Sequence, residues 1–348
     1  YTVKHMLQDV TGDGYTEDAA ARQTLHGTTG AATNAAAKSY EGFTAQAVEQ
    51  KTIAADSSTV VEIKYDRNSY EVTYAYVGTA PAGASALPEK ATVKYGAPVT
   101  VAEAATAPGY TFSGWSRNDF TMPAENVTIT GSFTANSNTE YTVRHHFQNI
   151  LDDAYDADTA MLSETLSGTT DTLTAAAAKT VAGFTAQSFQ QKNIAGDGST
   201  VVDIYYNRNS YGVSYRYLNT PAGASALPAG ASYRFGAAVT VAEAATAPGY
   251  TFSGWSTGDF TMPAQDVEIT GSFTANGDTA YTVEHYQQNL AGDGYDLVET
   301  DTEHLTGETD TTATANPKAY TGFTFDGTVE GTVASGNIAG DGSLVLKL

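Results

Sequence analysis

Val99 to Trp115 reads VTVAEAATAPGYTFSGW, and the same residues return unchanged at Val239 to Trp255, 140 positions later. Outward from that stretch, Tyr1-Thr-Val-Lys-His5 returns as Tyr141-Thr-Val-Arg-His145 and Tyr281-Thr-Val-Glu-His285, at the same spacing. A fixed period marks repeated supersecondary units. Within it lie two unrelated stretches, each about 70 residues long. The first, A, covers 1–69, 141–209 and 281–348; the second, B, covers 70–140 and 210–280. The order A-B-A-B-A predicts five small domains, where the length of 348 residues would by itself suggest two or three. The third A copy reads as C-terminally truncated.

Asp66-Arg-Asn-Ser69 and Asn207-Arg-Asn-Ser210 join A to B; Thr134 to Thr139 and Thr274 to Thr279 join B to A. None is a long Gly/Ser or Pro-rich linker, so wide excursions between repeats are not expected. The chain opens on one strand-like run and stops on another, Leu344-Val-Leu-Lys-Leu348, and reads as a fragment of a longer protein.

Composition narrows the function classes. Lys plus Arg is 17 against 39 Asp plus Glu, a formal net charge of −22. That charge opposes binding to nucleic acid or to an anionic lipid surface. An apolar content of 41% suffices to build cores and argues against a disordered acidic tail. With no cysteine, disulfides, thiolate metal sites and cysteine nucleophiles are excluded. No apolar run approaches the roughly 18 residues of a helical membrane span.

In A, the parity of Tyr1, Val3, His5 and Leu7 predicts a half-buried strand. Thr11 to Tyr15 reads as a turn; Arg22 to Leu25, Phe43 to Val48 and Thr59 to Tyr65 read as strands. Thr33 to Lys38 (TNAAAK) predicts a short helix, and in the second copy Asp171 is placed to cap a helix over Leu173 to Lys179. The expected order is β-β-α-β-β. In B, Tyr70, Val72, Tyr74 and Tyr76 share a face, and strands fit Ala91 to Tyr95, Val99 to Ala102, Tyr110 to Trp115 and Val127 to Phe133.

Five groups of residues could carry chemistry. His5, His145 and His285 recur in phase, but they sit in separate repeats and on the parity of the buried face, which favours a structural histidine. Gly-Asp-Gly at 12–14, 196–198, 292–294 and 340–342 suits turns. The run Asp152, Asp153, Asp156, Asp158 offers oxygen ligands for calcium but lacks the spaced Gly and Glu of a calcium loop. Trp115 and Trp255, with Tyr110 and Tyr250, could form a sugar-stacking surface, although so small a unit needs its aromatic residues for a core. Lys38, Lys179 and Lys318 recur in phase and read as solvated lysines at a helix end, with an isopeptide crosslink as the sharper reading. No nucleophile elbow, Walker loop, dinucleotide fingerprint or HExxH is present, so no enzyme, catalytic site or resident cofactor is expected.

The A stretch, with YTV-x-H, GDGY, L-x-G-T, GFT and a final V-x-I-x-Y-x-R-N, resembles the mucin-binding-protein (MucBP-like) repeats of Gram-positive surface proteins. The B stretch, with PGYTFSGWS, DFTMPA and V-x-I-T-G-SF, resembles the Listeria–Bacteroides repeat related to the internalin B-repeat. The resemblance implies a mainly β fold with short helices (α+β), as β-grasp or ubiquitin-like units in an elongated array. It also implies an extracellular, cell-wall-attached setting. The function it implies is the stalk or spacer of an adhesin; the alternative is multivalent, low-affinity binding of host mucin or glycans by the A copies. The fragment itself is expected to be monomeric.

Overall fold

The computed structural model describes residues 1–155 and 163–348. Its Cα positions group into two compact units. One is Tyr1–Arg144 with Ser163–Ala176 and Gln190–Val202; the other is His145–Leu162 with Ala177–Phe189 and Asp203–Leu348. Each contains one B stretch together with A residues that flank it.

The first A copy is a mixed sheet. Its opening strand, Thr2–Gln8, runs parallel to its closing strand, Val60–Arg67, in the register Thr2↔Val60 to Leu7↔Tyr65. Tyr15–Glu17 and Gln23–Thr24 pair antiparallel with the opening strand, and Phe43–Ala45 pairs antiparallel with the closing one. Alternation decides the core: Val3, His5, Val61, Ile63 and Tyr65 are buried, while Glu62 and Lys64 point out. The second copy repeats two of these pairings, Thr139–Phe147 with Glu164–Gly168 and Phe184–Ala186 with Val201–Arg208. In the third, Thr279–Glu284 pairs with Glu303–Gly307 and runs parallel to Val345–Lys347.

The expected helices are absent. Among the described residues the only helical elements are the single 3-10 turns Ala19–Ala21 and Glu299–Asp301, so the helical part of the α+β expectation fails and the fold is mainly β. Thr33 to Lys38 runs extended, with Thr33 and Ala35 buried and Asn34 and Ala36 exposed. Its backbone partners are mostly side chains. Asn34 N donates to the Tyr1 hydroxyl (3.0 Å), and Ala35 N to Gln50 Oε1 (3.0 Å). Gln50 Nε2 returns a bond to the Ala35 carbonyl (2.8 Å), and Lys38 N donates to the Tyr65 hydroxyl (2.8 Å). The second copy reproduces this with Tyr141 on Ala175, Gln191 on Ala176 and Tyr206 on Lys179. A run this short has too few residues to repay helix nucleation, and the fixed side-chain partners override the propensity of alanine. Asp171 is not a helix cap: its φ of 63° lies in the left-handed region.

B is built from short strands alone. Ser69–Tyr76 is flanked by Ala91–Lys94, antiparallel, and Val127–Gly131, parallel. Two small ribbons, Pro98–Val99 with Phe120–Thr121 and Tyr110–Phe112 with Phe133–Ala135, complete it. Val72, Val99, Met122, Val127 and Ile129 form the buried core, with Tyr70, Tyr74 and Trp115 packed on it. Within the DFTMPA motif, Met122 fills the core and Asp119 accepts a hydrogen bond from Val101 N (2.8 Å). The second B copy repeats both contacts through Met262 and Asp259.

Gln50 carries a test of the extended segment. Gln50→Ala strips the paired groups from buried Ala35 and is expected to cost about 1–3 kcal/mol, as for an unsatisfied buried amide. Denaturant unfolding of the full chain, followed at amides of residues 1–69, measures it.

Candidate functional site

The buried histidines are structural. His5 Nδ1 lies 2.7 Å from the Tyr65 hydroxyl, which also receives Lys38 N–H. With the histidine proton on Nε2, which faces the acceptor Gln23 Oε1 at 3.5 Å, the tyrosine donates to Nδ1 while accepting from Lys38. Burial holds the His5 pKa below its ordinary value. His145 makes the same 2.7 Å contact with Tyr206, and His285 Nε2 pairs with Glu303 at 3.1 Å. The phased lysines do not end a helix. Lys38 Nζ donates to the Ala21 carbonyl (3.0 Å), and Lys318 Nζ to the Asp301 carbonyl (3.1 Å) with Glu303 at 3.4 Å.

Trp115 packs inside its own repeat. Its ring stacks on Tyr76 (centroids 5.9 Å, 10°), meets Tyr74 and Phe112 edge-on, and donates its N–H to the Glu103 carbonyl at 2.9 Å. Trp255 repeats this on Tyr217, Tyr215 and Phe252, with its N–H on Glu243. Tyr110 and Tyr250 are not brought onto the indoles; their hydroxyls reach the next A copy instead.

Asp152 Oδ1 accepts from Asn149 and from Ala154 N, and Asp153 binds Gln148 and Arg234. Asp156 and Asp158 lie outside the described residues. Among the described residues no three His, Asp or Glu side chains converge as metal ligands would. At the Gly-Asp-Gly turns, Asp197 accepts from Ser199 N (3.0 Å) and Oγ (2.6 Å), which lowers its pKa. Asp341 repeats the backbone bond with Ser343.

A cavity of about 650 Å³ opens in the third A copy beside His285, Lys318, Tyr320 and Phe323.

The arrangement that recurs in full is the joint from B to A. Thr170 N donates to the Asn136 carbonyl (3.0 Å), Asn136 N to the Gly109 carbonyl (2.9 Å), and Thr170 Oγ1 to that same carbonyl (2.8 Å). Tyr110 donates its hydroxyl to Asp171. Gly196 lies flat against the Pro108-Gly109 corner, where a Cβ would come within 2.0 Å of the Pro108 carbonyl oxygen. The second joint matches it part for part. Thr309, Asn276 and Gly249 make the three bonds at 3.0, 2.9 and 2.8 Å, Tyr250 donates to Asp310, and a Cβ on Gly340 would reach 2.1 Å from Pro248 O. Asp310, like Asp171, is left-handed (φ 64°). The carboxylate partner, with burial second, raises the Tyr110 pKa and pushes that of Tyr250 up to about 12.

The joint from A to B uses an arginine. Arg67 donates to the Gln8 carbonyl (3.1 Å) and the Tyr95 carbonyl (2.7 Å) while its guanidinium lies over Phe43 (4.6 Å). Arg208 does the same with Gln148, Phe235 and Phe184. Sequence reasoning missed the joints. The available signal was that Asp171 and Asp310, and Gly196 and Gly340, agree between copies that follow a B stretch.

With this geometry in hand, comparison places the B stretches. The family model described as the divergent InlB B-repeat domain matches residues 70–137 and 217–277. No individual curated protein matches the chain. Among solved structures, domains 3-4 of Streptococcal High Identity Repeats in Tandem (SHIRT) from a cell surface protein align over 59% of this chain and 96% of that chain. The identity is 12% and the TM-score 0.16, a likeness too slight to carry an argument. The chain therefore contains two repeat domains similar to the InlB B-repeat. The MucBP-like resemblance of A rests on its sequence motifs.

The tyrosine at the joint gives a pH test. Its pKa in the folded chain is raised above the ordinary value of 10.0, so its contribution is fully present below pH 10.0 and is lost as pH rises toward about 12. In phenolate absorbance titrations differenced against Tyr250→Phe, Asp310→Asn should return Tyr250 toward its ordinary value. An unchanged curve would mean the carboxylate does not act on the phenol.

Proposed function

We propose that this chain is a spacer segment of a bacterial cell-surface protein, non-enzymatic, extracellular and attached through a larger parent chain to the wall. It would set the distance between a distal binding domain and the cell. The observation that carries the reading is the duplicated B-to-A joint. The same three hydrogen bonds, tyrosine–aspartate pair and glycine contact occur twice, with the B residues 140 positions apart. Repetition of a joint, and not only of a fold, is what a unit of length requires. The similarity of the B stretches to InlB B-repeat domains supports the setting.

On this reading the five repeats lie in line as a monomer. Compact units of this size, about 35 Å each, give a rod of ~180 Å and a radius of gyration of about 50 Å, against ~20 Å for one compact globule of the same length. Small-angle X-ray scattering on the full chain distinguishes them, and a value near 20 Å sinks the proposal.

The competing role is multivalent capture of host mucin or glycans by the A copies. The indoles weighed as a sugar-stacking surface belong to the B stretches and not to A, and a −22 chain repels anionic mucin. Saturable binding of the full chain to immobilised mucin would displace the pure spacer reading.

A further inference from the structure

The first A copy differs from the other two at two of the residues that seat a B repeat. Backbone bonds fix the equivalence. Gly30 N donates to Ile53 O as Asp171 N does to Ile194 O and Asp310 N to Ile338 O. Two residues beyond each of those isoleucines stand Ala55, Gly196 and Gly340. Thr29, the counterpart of Thr170 and Thr309, is retained. Thus where the second and third copies present aspartate and glycine, the first presents glycine and alanine.

Both differences bear on docking. At Gly196 and Gly340 a Cβ would sit 2.0 and 2.1 Å from the carbonyl oxygen of Pro108 and Pro248, a separation that backbone cannot yield without shifting the corner. Ala55 carries that Cβ. At Asp171 and Asp310 an L-residue is held at φ 63° and 64°, where glycine is the undemanding choice, and there the first copy has Gly30 at φ 82°. The aspartates occupy an unfavourable backbone conformation, and their carboxylates receive the tyrosine of the Pro-Gly-Tyr corner. Around Gly30 a Cβ would meet nothing within 4 Å, so packing does not dictate glycine at that place.

We infer that the aspartate–glycine pair determines the order of repeats. An A copy bearing Asp and Gly at these positions accepts the Pro-Gly-Tyr corner of a B repeat, and a copy bearing Gly and Ala refuses it. The inference concerns the joint alone and stands whether or not the chain acts as a spacer.

Amide hydrogen exchange on two sets of full-length chains tests it. In the first, residues 210–280 are fused ahead of Tyr1, with the first copy either unchanged or carrying Gly30→Asp and Ala55→Gly. The Thr29 amide should exchange as in the unfused chain when the face is unchanged. It should slow at least tenfold on the altered face. In the second, Asp171→Gly with Gly196→Ala gives the second copy the residues of the first. Thr170 and Asn136 amides should exchange at least tenfold faster, while Val143 keeps its protection. The first copy folds with both of these residues, so the substitutions act on the joint and not on the sheet. Equal protection of Thr29 on both faces, or unchanged exchange at Thr170 and Asn136, would overturn the inference.

Discussion

At each B-to-A joint two backbones approach closer than any side chain allows. Gly196 lies on Pro108 and Gly340 on Pro248, and the surrounding bonds exist because that approach is possible. Thr170 can reach two carbonyls of the preceding repeat, and Asp171 can take the Tyr110 hydroxyl, only when the corner is seated flat. Units of about 70 residues have little apolar surface left once their own cores are filled. A joint made from backbone contact and a few polar bonds asks for almost none.

The same economy appears inside the A copies. Where a longer domain would lay a helix across the sheet, these lay an extended segment held by one glutamine and two tyrosines. Gln50 stands in for a strand partner at Ala35, and Tyr1 and Tyr65 receive the amides on either side. Tyr65 in turn donates a hydrogen bond to His5, which ties the segment to the opening strand.

Much of this was legible in the sequence. The period picked out the two B stretches that the family model matches, and the parity of Val3, His5, Val61 and Ile63 set the buried face. The turn chemistry of Gly-Asp-Gly was plain. TNAAAK misled because local propensity cannot register partners 15 to 33 residues away. Tyr110 looked like a ligand platform because exposure within one repeat resembles exposure to solvent, yet its partner is 61 residues on. Asp171 looked like a helix cap because aspartate favours both caps and left-handed backbone. Gly196 was read correctly as a turn glycine, but its second requirement comes from Pro108, in the preceding repeat.

The central claim is that the joint holds one arrangement in solution. With no native cysteine to interfere, Asn118→Cys and Gln190→Cys place spin labels on exposed sites of the B repeat and of the A residues that follow it. Pulsed electron–electron resonance on the full chain should give a single narrow distance distribution, broadened when Gly196→Ala is added. A broad distribution in the unmodified background, indifferent to that substitution, would contradict the account.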